Sequence, residues 1–286
     1  METSTQPTDR PGPSRRGTPH RATVTAVRRL TQHTVRVTLG GPEIAALDAG
    51  VHTDRYLKLV LGPPPVEGAR PVVRTYTIRA VRDGEWDVDL VVHGDAGLGG
   101  PWAARVQPGE EVTFLGPGGG YAPDPEAPWH LLVGDDSALP AIAAAVESLP
   151  AGARAVAFVE VPGPGDEQPL GTAADVTVVW VHRGTADLAD VVAAAHAAGD
   201  LPAGVPHAFL HGEAGCVRTL RRWARAELGV GTDRLSASGY WRLGHDDEAW
   251  RAAKRDWNAA VEQDDATLRP SGGSDERAGF VPHPTG

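Results

Sequence analysis

The spacing of hydrophobic positions changes character near residue 120. From His20 to Leu115 the apolar residues fall in short runs that alternate with polar positions or run continuously. The runs are Ala22–Arg28, Thr34–Leu39, Tyr56–Leu61, Val72–Ala80, Trp86–His93 and Glu111–Leu115. Turns such as Gly62-Pro63-Pro64-Pro65 and Arg82-Asp83-Gly84 separate them. Short strands with turn signals at close spacing predict an antiparallel barrel or sandwich. A short helix is expected at Pro101–Arg105.

After Gly116-Pro117-Gly118-Gly119-Gly120 the pattern becomes an alternation of strands and helices. Strands are expected at Trp129–Val133, Ala153–Val161, Val176–Val181, Pro206–His211 and Arg234–Gly239. Helices are expected at Ser137–Leu149, Ala186–Ala198 and Ala214–Leu228. That alternation predicts a parallel sheet covered on both faces. The fold class is therefore β followed by α/β: an N-terminal antiparallel β-barrel over 19–122, then a C-terminal α/β domain with a parallel sheet over 128–246. A C-terminal helix over 247–263 carries Trp250 and Trp257 on one face. Residues 1–18 and 264–286 have the composition of disordered tails.

Composition narrows the chemistry. Of 27 basic residues against 37 acidic ones, Lys58 and Lys254 are the only lysines, and the net charge is −10. An acidic surface argues against binding nucleic acid or an anionic membrane. One cysteine, Cys216, excludes an internal disulfide and a four-thiolate iron–sulfur cluster. Of the 11 histidines, His207 and His211 are four apart, but on an expected strand, where they stand too far apart to share one metal. No apolar run is long enough to cross a bilayer, and the first residues lack a secretory signal, so the expected compartment is the cytoplasm. A monomer is expected.

The sharpest motif is Arg74-Thr75-Tyr76-Thr77. On a strand, Arg74 and Tyr76 share one face and Thr75 and Thr77 the other, unless a bulge intervenes. A guanidinium can clamp a pyrophosphate, an aromatic ring can stack on a flavin, and a hydroxyl can bond the ring edge. The same residues also fit a plain strand with an exposed Arg/Tyr face. Gly97-Leu98-Gly99-Gly100-Pro101-Trp102-Ala103 follows, glycines ahead of a helix start that can let amides approach a phosphate. In the α/β half, ligands are expected beyond the carboxyl ends of the strands. There stand Gly134-Asp135-Asp136-Ser137 and Gly212-Glu213. Carboxylates at these helix starts cap well but would repel a pyrophosphate. N-capping by Asp136 or Ser137 explains the first turn equally well. Cys216 at a helix start could be a reactive thiol or a small buried helix residue.

In this order the motifs resemble the ferredoxin reductase superfamily and, more narrowly, the siderophore-interacting proteins. The matching segments are Arg74–Thr77, His93-Gly94-Asp95, Gly100–Ala103, Gly134–Ala141, Gly212-Glu213 and Ser238-Gly239-Tyr240-Trp241-Arg242. Gly97-Leu98-Gly99-Gly100 departs from the Pro-Ala-Ser-like run of many members. The resemblance implies FAD as cofactor. It would be bound by Arg74, Thr75, Tyr76, Thr77, Asp89, Leu90, Val91, His93, Gly99, Gly100, Pro101, Trp102 and Ala103. It implies reduction of a ferric siderophore received by Lys58, with Arg55 and Arg79 as helpers, and with electrons from NADH, NADPH or a reduced ferredoxin. The donor region would comprise Asp135, Asp136, Ser137, Glu213, Arg218, Tyr240 and Trp241. Such electron transfer needs no general acid or nucleophile. The alternatives are a general flavin or ferredoxin-type NAD(P)H oxidoreductase with another acceptor, and a non-catalytic siderophore-binding protein.

Overall fold

The computed structural model describes residues 17–62, 71–93 and 97–267. The Pro63–Pro65 turn, Gly94 and Asp95, and most of both expected tails lie outside the described residues.

Six strands close the N-terminal barrel: β1 (His20–Arg29), β2 (Thr34–Gly40), β3 (Tyr56–Val60), β4 (Val73–Arg82), β5 (Glu85–Val91) and β6 (Glu111–Gly118). Their order around the barrel is β1-β2-β5-β4-β3-β6, and every pair is antiparallel. Alternation sends Val35, Val37 and Leu39 of β2 inward, where Trp86 and Phe114 meet edge-on with ring centroids 5.8 Å apart. The outward residues of β2 and β5 pair across the ladder. Arg36 grips Asp89 in a bidentate ion pair at 2.6 and 2.7 Å, and Thr38 donates to Asp87 at 2.7 Å. In β4 the register shifts between Ile78 and Ala80, next to the consecutive buried residues Thr77 and Ile78. Two short helices complete this half. Helix α1 (Pro42–Ala46), which no sequence signal marked, buries Ile44; α2 (Gly99–Arg105) sends Trp102 and Ala103 into the barrel core.

The second half comprises β7 (His130–Asp135), α3 (Leu139–Ser148), β8 (Arg154–Val161), β9 (Asp175–His182), α4 (Leu188–Ala198), β10 (His207–Glu213), α5 (Ala214–Glu227), β11 (Leu235–Trp241) and α6 (Asp247–Thr267). The five strands form a parallel sheet in the order β11-β10-β7-β8-β9. Its two faces are both apolar. Leu132, Ala157, Val159 and Phe209 pack with Ile142 of α3; Leu131, Val133, Phe158 and Leu210 pack with Val192 of α4 and Leu220 of α5. Strand β8 reaches β9 through a single 3-10 turn, Pro164–Asp166, rather than a helix. Helix α6 continues to Thr267, so residues 264–267, expected in the tail, are helical. Its Trp250 and Trp257 pack on Ala214 and Val217, and Trp257 Nε1 donates to the Ala214 carbonyl at 3.0 Å.

Polar ties join the halves at several places. Asp166 accepts from Thr31 Oγ1 at 2.7 Å and meets His33 Nδ1 at 2.8 Å. Arg79 of β4 forms an ion pair with Glu147 of α3. Asp54 accepts from the amides of Gly120 and Tyr121, each at 2.8 Å, and the Tyr121 ring packs on Phe209.

One buried carboxylate closes the sheet's C-terminal edge. Asp135 Oδ1 accepts from the Ser137 amide at 3.0 Å, while Oδ2 accepts from the Glu213 amide and from Trp241 Nε1, both at 2.8 Å. It thereby joins the ends of β7, β10 and β11. Gly212 makes this possible: its φ is +132°, and a Cβ there would lie 2.5 Å from Asp135 Oδ2. Removing this carboxylate as Asp135→Ala should cost about 1–3 kcal/mol for each buried donor left without an acceptor. Emptying the barrel lumen as Trp86→Ala should cost about 3–5 kcal/mol. Both are read as denaturant midpoints by far-ultraviolet circular dichroism. A Trp86→Ala protein as stable as the wild type would show that the lumen is not tightly packed.

Candidate functional site

Strand β4 carries the Arg74–Thr77 motif along the rim that faces the second half. Its partner β3 pairs Leu57 with Tyr76, Lys58 with Thr75, and Tyr56 with Thr77. Directly opposed residues share a face. Arg74 and Tyr76 therefore lie on the side of the buried Leu57 and Leu59, at the barrel's end. Thr75 and Thr77 lie with Tyr56 and Lys58 on the opposite side. Arg79, which also points that way, reaches Glu147, so this side looks toward the sheet half. Thr77 is buried there and Thr75 is exposed.

Tyr76 brings the strand motif to the glycine-rich segment. A Cβ on Gly99 would lie 1.7 Å from the Tyr76 hydroxyl oxygen, so only glycine allows this approach. Burial raises the Tyr76 hydroxyl pKa, and it stays protonated. Gly100 lies against the backbone of Val91, Val92 and His93, where a Cβ would meet atoms at 3.7–3.8 Å. No side chain caps the start of α2. Its first glycine amides are the ones that can serve a ligand, because Pro101 has no N–H and the Trp102 amide donates to Leu98 at 3.2 Å.

Several expected cofactor contacts are otherwise engaged. Leu90, Trp102 and Ala103 belong to the barrel core. Asp89 is spent on Arg36 at the outer face. In this part of β5 only the half-buried Val91 remains beside the glycines, with His93 following it. Arg74 forms ion pairs with Asp247 and Glu248 at the start of α6, while Nη1 donates to the Val73 carbonyl at 3.1 Å. That strap from the C-terminal helix carries no sequence signature, since nothing in residues 247–248 marks a barrel contact.

The three expected chelate cations stand in different surroundings. Lys58 is outside the lumen: it alternates with the buried Leu57 and Leu59, and its ammonium lies 5.7 Å from the Tyr56 ring centroid. Arg55 donates to the Gly50 carbonyl at 3.3 Å, and its buried Nε has no partner. Arg79 forms an ion pair with Glu147.

At the sheet's C-terminal edge a cavity of about 280 Å³ opens among Asp135, Glu160, Arg183, Asp187, His211 and Glu213. Its one guanidinium is already paired with Asp136 and Glu160, at 3.1 and 3.0 Å. Burial and the neighbouring Asp135 push the Asp136 carboxyl upward, against the pull of Arg183. Helix α3 begins after Ala138 without a side-chain cap. Neither Asp136 nor Ser137 caps it, and Asp135 braces the turn instead. Glu213 does cap α5, accepting from the Cys216 amide at 2.8 Å. Burial, with the surrounding carboxylates, pushes the Cys216 thiol up to about 12, the opposite of an activated thiol. Tyr240 is half-buried and its hydroxyl meets His211 Nδ1 at 2.9 Å; Trp241 serves Asp135. Arg218 points away from the cavity and pairs with Asp264 of α6 at 2.6 Å.

Comparison with known proteins agrees with this architecture. Residues 127–244 match the model of the siderophore-interacting protein family, and residues 63–121 match that of the siderophore-interacting FAD-binding domain. The chain is 42% identical over 269 residues to the protein Rv2895c of Mycobacterium tuberculosis, covering 83% of this chain and 95% of that one. It is 36% identical over 188 residues to the ferric vibriobactin reductase ViuB of Vibrio cholerae, covering 63% and 68%. The crystal structure of the siderophore-interacting protein SipS from Aeromonas hydrophila superposes with a TM-score of 0.72 at 33% identity, covering 85% of this chain and 99% of that one. A ferredoxin reductase of carbazole 1,9a-dioxygenase shares the fold at 19% identity and a TM-score of 0.60. The rim fits FAD: the Tyr76 hydroxyl end meets the uncapped Gly99, where a Cβ would block it, with Arg74 two residues away on the same face. The chain belongs to the siderophore-interacting protein family, an FAD-binding barrel joined to a parallel α/β sheet in the manner of the ferredoxin reductases.

Proposed function

We propose that this protein is an FAD-dependent reductase of ferric siderophores, acting as a monomer in the cytoplasm. The observation that carries the reading is the meeting of Tyr76 with the Gly99-Gly100 turn, with Lys58 one strand away on the opposite face, that of Thr75 and Thr77. The likeness to ViuB, named as a ferric vibriobactin reductase, supports it. FAD, when bound, supplies a carrier that accepts a pair of electrons and releases them singly to Fe(III).

The protein's residues hold and shield. Arg74 is the cation for the pyrophosphate, and its carboxylate partners on α6 set how firmly that charge is offered. Tyr76 supplies a flat apolar platform, and the glycine amides receive phosphate oxygens. Thr77, buried on the opposite side of the strand, offers its hydroxyl to the redox edge of the ring. Lys58, on the face of Thr75 and Thr77, draws an anionic chelate to that edge. Fe(II) is less charged than Fe(III), so an oxygen-rich chelator holds it more weakly and releases it.

The electron donor does not lay a pyrophosphate on the Gly134–Ser137 turn. Four carboxylates line that cavity, and Arg183 is already paired. The donor is a nicotinamide nucleotide held in another pose or a reduced ferredoxin. Anaerobic absorbance spectra separate these cases. Bleaching of the oxidised flavin by NADH or NADPH, and recovery on adding ferric siderophore, is the outcome for a nucleotide donor. A flavin that ignores both nucleotides but recovers with chelate after chemical reduction points to ferredoxin. A protein that takes up no FAD overturns the proposal.

Two substitutions test the named roles. Arg74→Ala should weaken FAD binding by about 10- to 100-fold, the worth of one charge-assisted hydrogen bond of about 1.5–3 kcal/mol, measured by quenching of FAD fluorescence. Lys58→Ala should retain the flavin spectrum yet lower kcat/KM for an anionic ferric chelate by about three- to tenfold, the range of a partly screened charge contact. Unchanged turnover would remove Lys58 from the chelate's path.

A further inference from the structure

Arg74 is held from the far end of the chain. Its Nε pairs with Asp247, and its Nη1 lies 3.5 Å from Glu248 Oε1, both in the first turn of α6. The Arg74 side chain is only 12% exposed, whereas those of Asp247 and Glu248 are 45% and 66% exposed. The cation is therefore the fixed member, and the carboxylates are the ones with room to swing. The helix does not need these pairs to form. Asp246 Oδ1 accepts from the Ala249 amide at 2.8 Å and so caps the first turn. Trp250 and Trp257 anchor the helix on Ala214 and Val217, and Arg251 donates to the Val73 carbonyl.

The charges of this group do not balance. One guanidinium and two carboxylates sum to −1 (1 − 2). A pyrophosphate brought to Arg74 is an anion too. While both carboxylates stay in place it meets two repulsions for one attraction at similar distances, and the repulsions win. The carboxylates can yield without any movement of the helix. Glu248 Oε1 stands between two guanidinium groups, 3.5 Å from Arg74 Nη1 and 4.0 Å from Arg251 Nη1. Rotation of its side chain passes it from one to the other. Asp247, with nearly half its side chain in water, can turn outward.

We propose that Asp247 and Glu248 compete with the pyrophosphate of FAD for Arg74 and yield it when the cofactor binds, so that the C-terminal helix sets the affinity of the barrel for its flavin. The inference rests on the reading of Arg74 as the pyrophosphate cation. Asp247 and Glu248 act through Arg74: they weaken cofactor binding, and their removal strengthens it.

The test is a titration of the flavin-free full chain with FAD, followed by quenching of flavin fluorescence. Wild type is compared with the double variant Asp247→Asn/Glu248→Gln and with Arg74→Gln. Riboflavin, which has the ring but no pyrophosphate, serves as the second ligand. The double variant should bind FAD about three- to tenfold more tightly than wild type at low salt, the scale of two partly exposed ion pairs. The gain should shrink at high salt, and riboflavin should bind both proteins equally. FAD affinity in the double variant no higher than in wild type would overturn the proposal. So would a gain that riboflavin shares, because such a gain does not arise at the pyrophosphate. Wild-type FAD affinity in Arg74→Gln would remove the pyrophosphate role of Arg74 and this inference with it. Weakened binding in Arg74→Gln, with no change in the double variant, would overturn this inference alone. The titration reads no turnover, so the expected pattern in a protein that reduces no ferric chelate would sink the reductase reading and keep this one.

Discussion

The sheet half is organised around the buried carboxylate of Asp135. Its hydrogen bonds tie the ends of β7, β10 and β11 into one edge. A buried carboxylate is tolerable only when donors satisfy it, and here a backbone amide, a second backbone amide and an indole do so. The strand ends cannot separate without stranding it. This has a chemical consequence at the place where open α/β sheets hold their ligands. The turn that elsewhere leaves its amides for a phosphate is filled by a negative charge, and Glu160, Asp187 and Glu213 add to it. The bonds that make this edge rigid also make it hostile to a pyrophosphate.

The barrel rim has the opposite character. The start of α2 remains uncapped, Tyr76 reaches Gly99, and Lys58 looks outward from β3. The contrast sets an acidic sheet edge against a strand whose Lys58 has no carboxylate partner among the described residues. Attraction of an anionic chelate to a chain of net charge −10 has to be local. Within about 10 Å at ordinary salt, a nearby cation outweighs more distant carboxylates, whose field is screened.

Helix α6 binds these parts together. Its apolar stripe, Trp250 and Trp257, packs on α5, while its polar stripe reaches Arg74, Val73 and Gly239. Farther along, Asp264 and Asp265 pair with Arg218, Arg221 and Arg225 of α5. An amphipathic helix with two polar edges can thus take its register from the sheet half and present charges to the barrel.

Much of the fold was legible along the chain because it rests on local periodicity. Alternating Val35, Val37 and Leu39 mark a half-buried strand; the continuous Leu131–Val133 run marks one covered on both sides. The Arg-Thr-Tyr-Thr segment and the Gly-Gly-Pro helix start were legible for a similar reason, since their chemistry lies in adjacent residues. What the sequence could not reveal was partnership at long range. Asp89 pairs with Arg36, Arg79 with Glu147 and Arg218 with Asp264, each finding an opposite charge across an element boundary. The sequence by itself determined the elements, the two-part architecture and the family motif, all set by short-range pattern and composition. Only the tertiary structure decided which charges are spent and which remain free. An ion pair depends on distances of a few ångströms between segments that closure of the barrel and packing of α6 bring together, and no spacing along the chain encodes those distances.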